Sequence, residues 1–286
     1  MRRPLLLALL ITGTFAHAQK NLHEKAIVVD THNDVLSSAT MKGLNIEDDL
    51  RGKTHSDINR FRRGGIDLQV FSIFCDEKYG KGTAFNYALR EIDSLDAIVA
   101  RNPARMMAVN TVADLRTAVR KRLVGAMKGV EGGHMIEDSM LYLDSLYKRG
   151  ARYLTLTWNN STSWASSAWD ETYFDQGKPT PIKQKGLNDF GRQVVRHMNE
   201  LGMLVDLSHV GKQTFFDALA ASTKPVLVSH SCVYAICPVP RNLTDEQIIA
   251  IGKNGGVIHL NFYSGFLDSS FNRRREAFQD SHKGEV

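Results

Sequence analysis

Residues 27–36 read IVVDTHNDVL. Ile27, Val28 and Val29 lead into Asp30-Thr31-His32-Asn33-Asp34, and there the hydrophobic pattern stops. A buried strand that runs into an imidazole and two carboxylates ends either in solvent or at a metal. The rest of the chain decides between these readings.

Short β-rich runs recur along the sequence, at 26–31, 66–74, 123–130, 152–157, 203–208, 225–229 and 256–262. Amphipathic stretches with helical periodicity separate them, at 84–101, 111–121, 138–149, 187–201 and 212–221. Strands alternating with helices predict a parallel sheet, and seven such units predict a TIM-type (β/α)8 barrel of the α/β class. After the seventh strand the sequence is YSGFLDSSFNRRREAFQDSHKGEV, which is polar, rich in arginine and carries no further strand pattern. The expectation is a barrel whose eighth strand is missing from this chain. An open barrel of that kind would expose apolar surface and favour self-association into a homo-oligomer.

Barrel chemistry sits at the C-terminal ends of the strands. Those ends read His32-Asn33-Asp34, Glu131-Gly132-Gly133, Ser208-His209 and Ser229-His230-Ser231. Residues two apart on a strand share a face. Asp30, His32 and Asp34 therefore fall together, as do Gly129 and Glu131, Leu207 and His209, and Val228 and His230. Any one of these alone reads as a structural histidine, or as a turn whose glycines allow positive φ. Three imidazoles and two carboxylates in register read as a metal site of nitrogen and oxygen ligands, of the kind zinc takes. Five ligands exceed what one such zinc needs, which points to two metals sharing a carboxylate, with Glu131 the natural bridge. Asp30 could orient a ligand, His134 could support the Glu131 turn, and His259 could line the pocket.

Composition sets the bounds. The 286 residues are 43% hydrophobic and 23% charged, enough for one large core. The net charge of +5 comes from scattered Lys and Arg with no basic stripe, so nucleic acid is not an expected partner. Arg2 and Arg3, an apolar run from Leu5 to Phe15 and Ala16-His17-Ala18 read as a signal peptide over residues 1–18. The barrel domain would then occupy 19–286, C-terminally incomplete, in an exported, periplasmic or secreted protein without a transmembrane segment. Cys75, Cys232 and Cys237 show neither CxxC nor zinc-finger spacing, and the odd count leaves at least one thiol free.

The motifs VVDTHND, KGVEGGH, RYLTLT, LVDLSHV, VLVSHS and Arg241-Asn242, in this order, closely resemble the membrane (renal) dipeptidase family of zinc-dependent hydrolases. The resemblance implies that His32, Asp34 and Glu131 hold one Zn2+ and that Glu131, His209 and His230 hold a second. It implies Arg241 as a clamp for the substrate carboxylate; Trp158 and Tyr263 are further candidates for lining the substrate site. The implied reaction is hydrolysis of dipeptides, with tolerance for a C-terminal D-residue, by a hydroxide bridging the two metals; Glu131 is the catalytic bridge. Two departures stand out. Trp158 occupies a position where the family pattern has a histidine thought to stabilise the tetrahedral intermediate, and Asn159 or Asn160 could substitute for it. The family's eighth-strand aspartate has no counterpart. Other readings are a different amidohydrolase-like metal hydrolase, which the His-x-Asp start and Arg241 argue against, and a non-catalytic zinc or peptide binder. The stretch WNNSTSWASSAWDETY at 158–173 either shapes a substrate pocket or packs over the barrel mouth.

Overall fold

The structure is a computed structural model that describes residues 22–283. The leader read at residues 1–18 lies outside the described residues. Eight parallel strands form one sheet: β1 (Val29–Asn33), β2 (Leu68–Ile73), β3 (Met106–Ala108), β4 (Val124–Glu131), β5 (Ala151–Thr155), β6 (Leu204–Asp206), β7 (Leu227–Val228) and β8 (Val257–Ile258). The order is β1-β2-β4-β5-β6-β7-β8, with β3 paired to β4 off this path. Seven of these strands overlap the seven sequence runs; most are shorter, and β1 and β4 run on to Asn33 and Glu131, past the predicted ends at 31 and 130.

The eighth strand is β3, three residues long, which carries too little pattern to be read from sequence. It does not close the barrel. Val124 N–H donates to Arg105 C=O beside β3, whereas Gly125 N–H donates to Asp67 C=O beside β2, so the two neighbours flank opposite edges of β4. β5 pairs with β4 further along, from Lys128 to Glu131. Among the described residues β1 and β8 do not pair, and a cleft of about 970 Å³ lies between them. The fold is thus a parallel half-barrel of the TIM type with its closing position open.

The helices cover the outside of the sheet, and their bounds follow local chemistry. Thr111 caps the helix Val112–Lys121 in a reciprocal capping box with Asp114, and Asn188 caps Asp189–Leu201 by accepting from Gly191 N–H. Gly202 ends the latter helix in the left-handed conformation. The main core lies between sheet and helices, with Phe71, Ile73, Val130 and Leu154 facing Ile92, Leu95, Leu143 and Val194. A small cluster of Val70, Tyr153 and Leu227, with Met127 packed against it, fills the barrel interior. Strand alternation therefore places Glu131, in phase with Met127, on the inner face at the top of β4. The sequence after β8 forms the helix Phe271–Ser281, which carries no buried residue.

Candidate metal centre

The ligand-type residues sit where the strands end. Asp30 Oδ1 accepts from His32 N–H (3.0 Å), turning the end of β1 so that the imidazole faces inward. Gly132, with φ +98°, turns the chain directly after Glu131, a conformation that L side chains rarely adopt. His209 has φ +67°, strained for a residue with a Cβ, and this swings its ring off the β6 end toward Glu131. His32, Asp34, Glu131, His209, His230, Arg241, Trp158 and Tyr263 all line one cavity of about 450 Å³ at the barrel mouth.

The geometry within the cavity is two-sided. Glu131 Oε2 faces His32 Nε2 (3.4 Å), while Oε1 faces His209 Nε2 (2.9 Å) and His230 Nε2 (3.4 Å). Asp34 Oδ1 lies 3.2 Å from His32 Nε2, and the two nitrogens of His209 and His230 lie 3.0 Å apart. Each imidazole has its other nitrogen engaged: His32 Nδ1 with the Tyr153 hydroxyl (3.0 Å), His209 Nδ1 with Asn159 Oδ1 (3.1 Å) and His230 Nδ1 with the Ser229 hydroxyl (2.8 Å). The Tyr153 hydroxyl donates to Thr31 C=O (3.1 Å), so its oxygen accepts from His32 Nδ1. In the neutral rings, with Nδ1 protonated, each Nε2 presents a lone pair toward carboxylate oxygens, so that an added proton or a cation is needed between them. Such a donor set fits a cation. His32, Glu131 and His230 offer ligand atoms all within 4.8 Å of one another.

The electrostatics agree. Burial works against charge on His32, but Glu131, Tyr153 and Asp34 outweigh it and raise its pKa well above the ordinary histidine value. Burial would raise Glu131, yet the charge on His32 and the imidazoles of His209 and His230 against its oxygens hold it well below the usual carboxylate range. Burial and the Arg241 charge push His209 well down, and burial with the His32 charge lowers His230. A single imidazolium balances the carboxylates, in the place where a metal would put more charge.

Arg241 is 4% exposed, and burial pushes its guanidinium down to about 10, which leaves it charged at neutral pH. Its Nε has no partner, and its remaining contacts are long, 3.5 Å to Ser231 Oγ and 3.3 Å to His230 C=O. A buried cation with unused donors at the edge of a cavity is suited to an anionic ligand.

The tryptophan-rich stretch divides its labour. Trp164 is buried in the core, while Trp158 and Trp169 line the cavity, Trp158 tilted against Phe74 at 4.9 Å. Glu171 anchors this loop, accepting from Ser166 Oγ (2.6 Å) and Gln213 N–H (2.9 Å). Asn159 bonds His209, and among the described residues the Asn160 side chain hydrogen-bonds only Ser161 C=O (3.4 Å). His259 lines the cleft between β1 and β8, not the metal cavity. His134 packs behind Gly132 and donates to Cys75 C=O (2.9 Å), touching no ligand. All three cysteines are free and buried. Phe74, Trp169, Asn261 and Phe266 also line the cavity; the tryptophan-rich stretch offered Trp169 as one of two readings, and the other three were not named as site residues. Phe74 and Asn261 lie just past strand ends, Trp169 in the helix Ala168–Asp175 and Phe266 in a 3-10 turn, and none of these positions carries a periodic signal that singles it out.

The chain matches the membrane dipeptidase family, peptidase family M19, over residues 16–282. It is 34% identical to dipeptidase 3 of Mus musculus over 249 residues, which are 85% of this chain and 48% of that protein. The chain thus spans about half the length of this relative. Among solved structures, the metallo-peptidase dipeptidase AC has a TM-score of 0.76 and 25% identity, covering 89% of this chain and 80% of that one. A metallo-peptidase from Rhodobacter sphaeroides, liganded with a phosphinate mimic of the dipeptide L-Ala-D-Ala, has a TM-score of 0.73 and 22% identity, covering 89% and 82% of the two chains. At that identity the likeness is one of fold. With the family matched over nearly the whole length and a relative 34% identical over 85% of the chain, the chain belongs to the membrane dipeptidase family.

Proposed function

We propose that this chain carries the active site of a zinc-dependent dipeptidase that accepts a C-terminal D- or L-residue. The observation that supports it best is the division of Glu131, one oxygen toward His32 and the other toward His209 and His230. His32, Asp34 and Glu131 Oε2 would hold one ion, and Glu131 Oε1, His209 and His230 the second. When bound, such a pair supplies a water acidic enough to attack near neutral pH and an electrophile for the scissile carbonyl. The protein's own side chains do the rest. Arg241 pairs with the free carboxylate of the substrate, which fixes the length between that carboxylate and the bond to be cut and favours dipeptides over longer peptides. Phe74, Trp158 and Trp169 form an aromatic wall that excludes bulk water from the reacting bond. The phosphinate dipeptide mimic held by the Rhodobacter sphaeroides protein is in keeping with this substrate class.

The test is a substrate panel with the zinc-loaded chain: L-Ala-L-Ala, L-Ala-D-Ala, an amidated dipeptide, a tripeptide, a lactone and a phosphodiester. Cleavage of both dipeptides is expected, with loss of ~10³-fold or more in Glu131→Gln, since several kcal/mol of transition-state stabilisation depend on the metals. Preferred turnover of the lactone or phosphodiester would refute the dipeptidase reading. The open edge between β1 and β8, with Trp158 in the cavity, favours a second reading, a zinc and peptide binder. Dipeptide binding without turnover would support that one.

A further inference from the structure

Asp206 ends β6, is fully buried, and has no part in the reaction outlined above. Its carboxylate accepts four hydrogen bonds. Oδ2 takes the Thr155 and Ser229 hydroxyls, each at 2.6 Å, and Oδ1 takes Ser229 N–H (2.9 Å) and Ser208 N–H (3.2 Å). All four partners are donors, so the group satisfies its buried charge entirely within the ends of β5, β6 and β7.

The donor accounting continues to His230. Ser229 has one hydroxyl proton, and the bond to Asp206 Oδ2 uses it. The lone pairs of Ser229 Oγ then face His230 Nδ1 at 2.8 Å, and Ser208 Oγ at 3.2 Å. His230 Nδ1 must therefore carry the ring proton, which leaves Nε2 bare toward Glu131 and His209. Ser208 Oγ accepts from His230 N–H (3.0 Å), so one polar knot holds both the ring and the backbone of this residue. The same knot ties the two strand ends that carry His209 and His230.

We propose that Asp206, acting through the Ser229 hydroxyl, is a positioning residue that fixes His230 in its Nδ1–H form and locks the ends of β6 and β7 together as one half of the metal site. The proposal rests on the reading of His230 as a metal ligand. Without the relay, the proton would be free to move to Nε2, where it would point at Glu131 and occupy the ligand position. A carboxylate that orders a ligand histidine directly is a common arrangement, and here a serine intervenes.

The experiment has two readouts. Nitrogen-15 correlation of the imidazoles in the metal-free chain reports which nitrogen of His230 is protonated, and competition with a chromophoric chelator reports zinc affinity and the number of ions bound. In the wild type His230 is expected as the Nδ1–H form. Ser229→Ala is expected to populate the Nε2–H form and to weaken one zinc by ~10–100-fold. Ser229→Thr, which keeps the hydroxyl, should restore both. An unchanged tautomer and zinc affinity in Ser229→Ala would overturn the proposal, as would a Ser229→Thr variant as weak as the alanine, because that points to packing alone. Should Ser229→Ala fail to fold, Asp206→Asn with Ser229 intact takes its place, and an unchanged tautomer there is equally fatal. If the variants shift the tautomer while the wild type binds no zinc, the relay stands and the metal reading falls.

Discussion

Glu131 and Arg241 divide the work of the site by charge. Glu131 collects imidazoles on both its oxygens, and Arg241 stands buried at the cavity edge with an unpartnered Nε. A guanidinium in that state pairs in a fork with a carboxylate, which a lysine cannot reproduce. Arg241→Lys is therefore expected to lower kcat/KM on dipeptides by ~10–100-fold, the equivalent of about 1.5–3 kcal/mol for a hydrogen bond to a charged group. The loss should be absent on an amidated dipeptide, which wild type is expected to handle poorly. Equal losses on both substrates would remove Arg241 from carboxylate recognition. The ligand-type residues were legible because each ends a strand in the same phase. Their supports were not, because Tyr153 and Asn159 reach their histidines from strands or loops remote in sequence, and Ser229 is set against His230 by its bond to Asp206 on the neighbouring strand.

At the scale of elements, close approaches explain why the strands carry the residues they do. The Tyr153 ring crosses β4 at Gly129, where a Cβ would lie 2.0 Å from the ring, so the reach of Tyr153 to His32 depends on that glycine. The sequence showed a glycine in phase with Glu131 without showing why. Helix bounds such as 84–101 came through intact because the apolar stripe is long, whereas β3 was invisible at three residues. The helix Ala84–Arg101 also carries Glu91, which is fully buried and accepts from Phe74 N–H (2.6 Å) at the end of β2. Burial pushes its carboxyl up to about 9; the Phe74 hydrogen bond opposes the shift, and the charges of Asp34 and Glu131 add to it. An unfolded glutamate titrates near ~4.3, so between there and about 9 the native state binds the extra proton. Stability from this group is full below ~4 and declines as pH rises, by up to ~1.4 kcal/mol per unit. In the metal-free chain, the Tm advantage of Glu91→Gln over wild type should widen from about pH 5 to about pH 9. A constant difference across that range would mean that Glu91 is not held protonated.

Across the whole molecule, stability is graded around the sheet. β4 pairs with β2, β3 and β5 and is buried almost throughout, while β8 is two residues long and pairs only with β7. Beyond β8, Leu260 and Phe262 are 62% and 88% exposed at the open edge. Backbone amides of Val257 and His259 are expected to exchange with solvent ~100-fold or more faster than those of β4. Uniform protection around the sheet would show that the edge is closed in solution. The open edge was legible as a missing eighth unit, because seven strand runs precede a tail with no strand pattern. The ligand-type residues lie at or just past the ends of β1, β4, β6 and β7, so the proposed centre draws on the well-paired side of the sheet as well as its margin. The central claim is that Glu131 is shared between two ions, and anomalous diffraction at the zinc edge from crystals grown with zinc tests it most directly. Two peaks are predicted, one beside His32 and Asp34 and one beside His209 and His230, with Glu131 between them. A single peak, or none at the strand ends, would contradict the account.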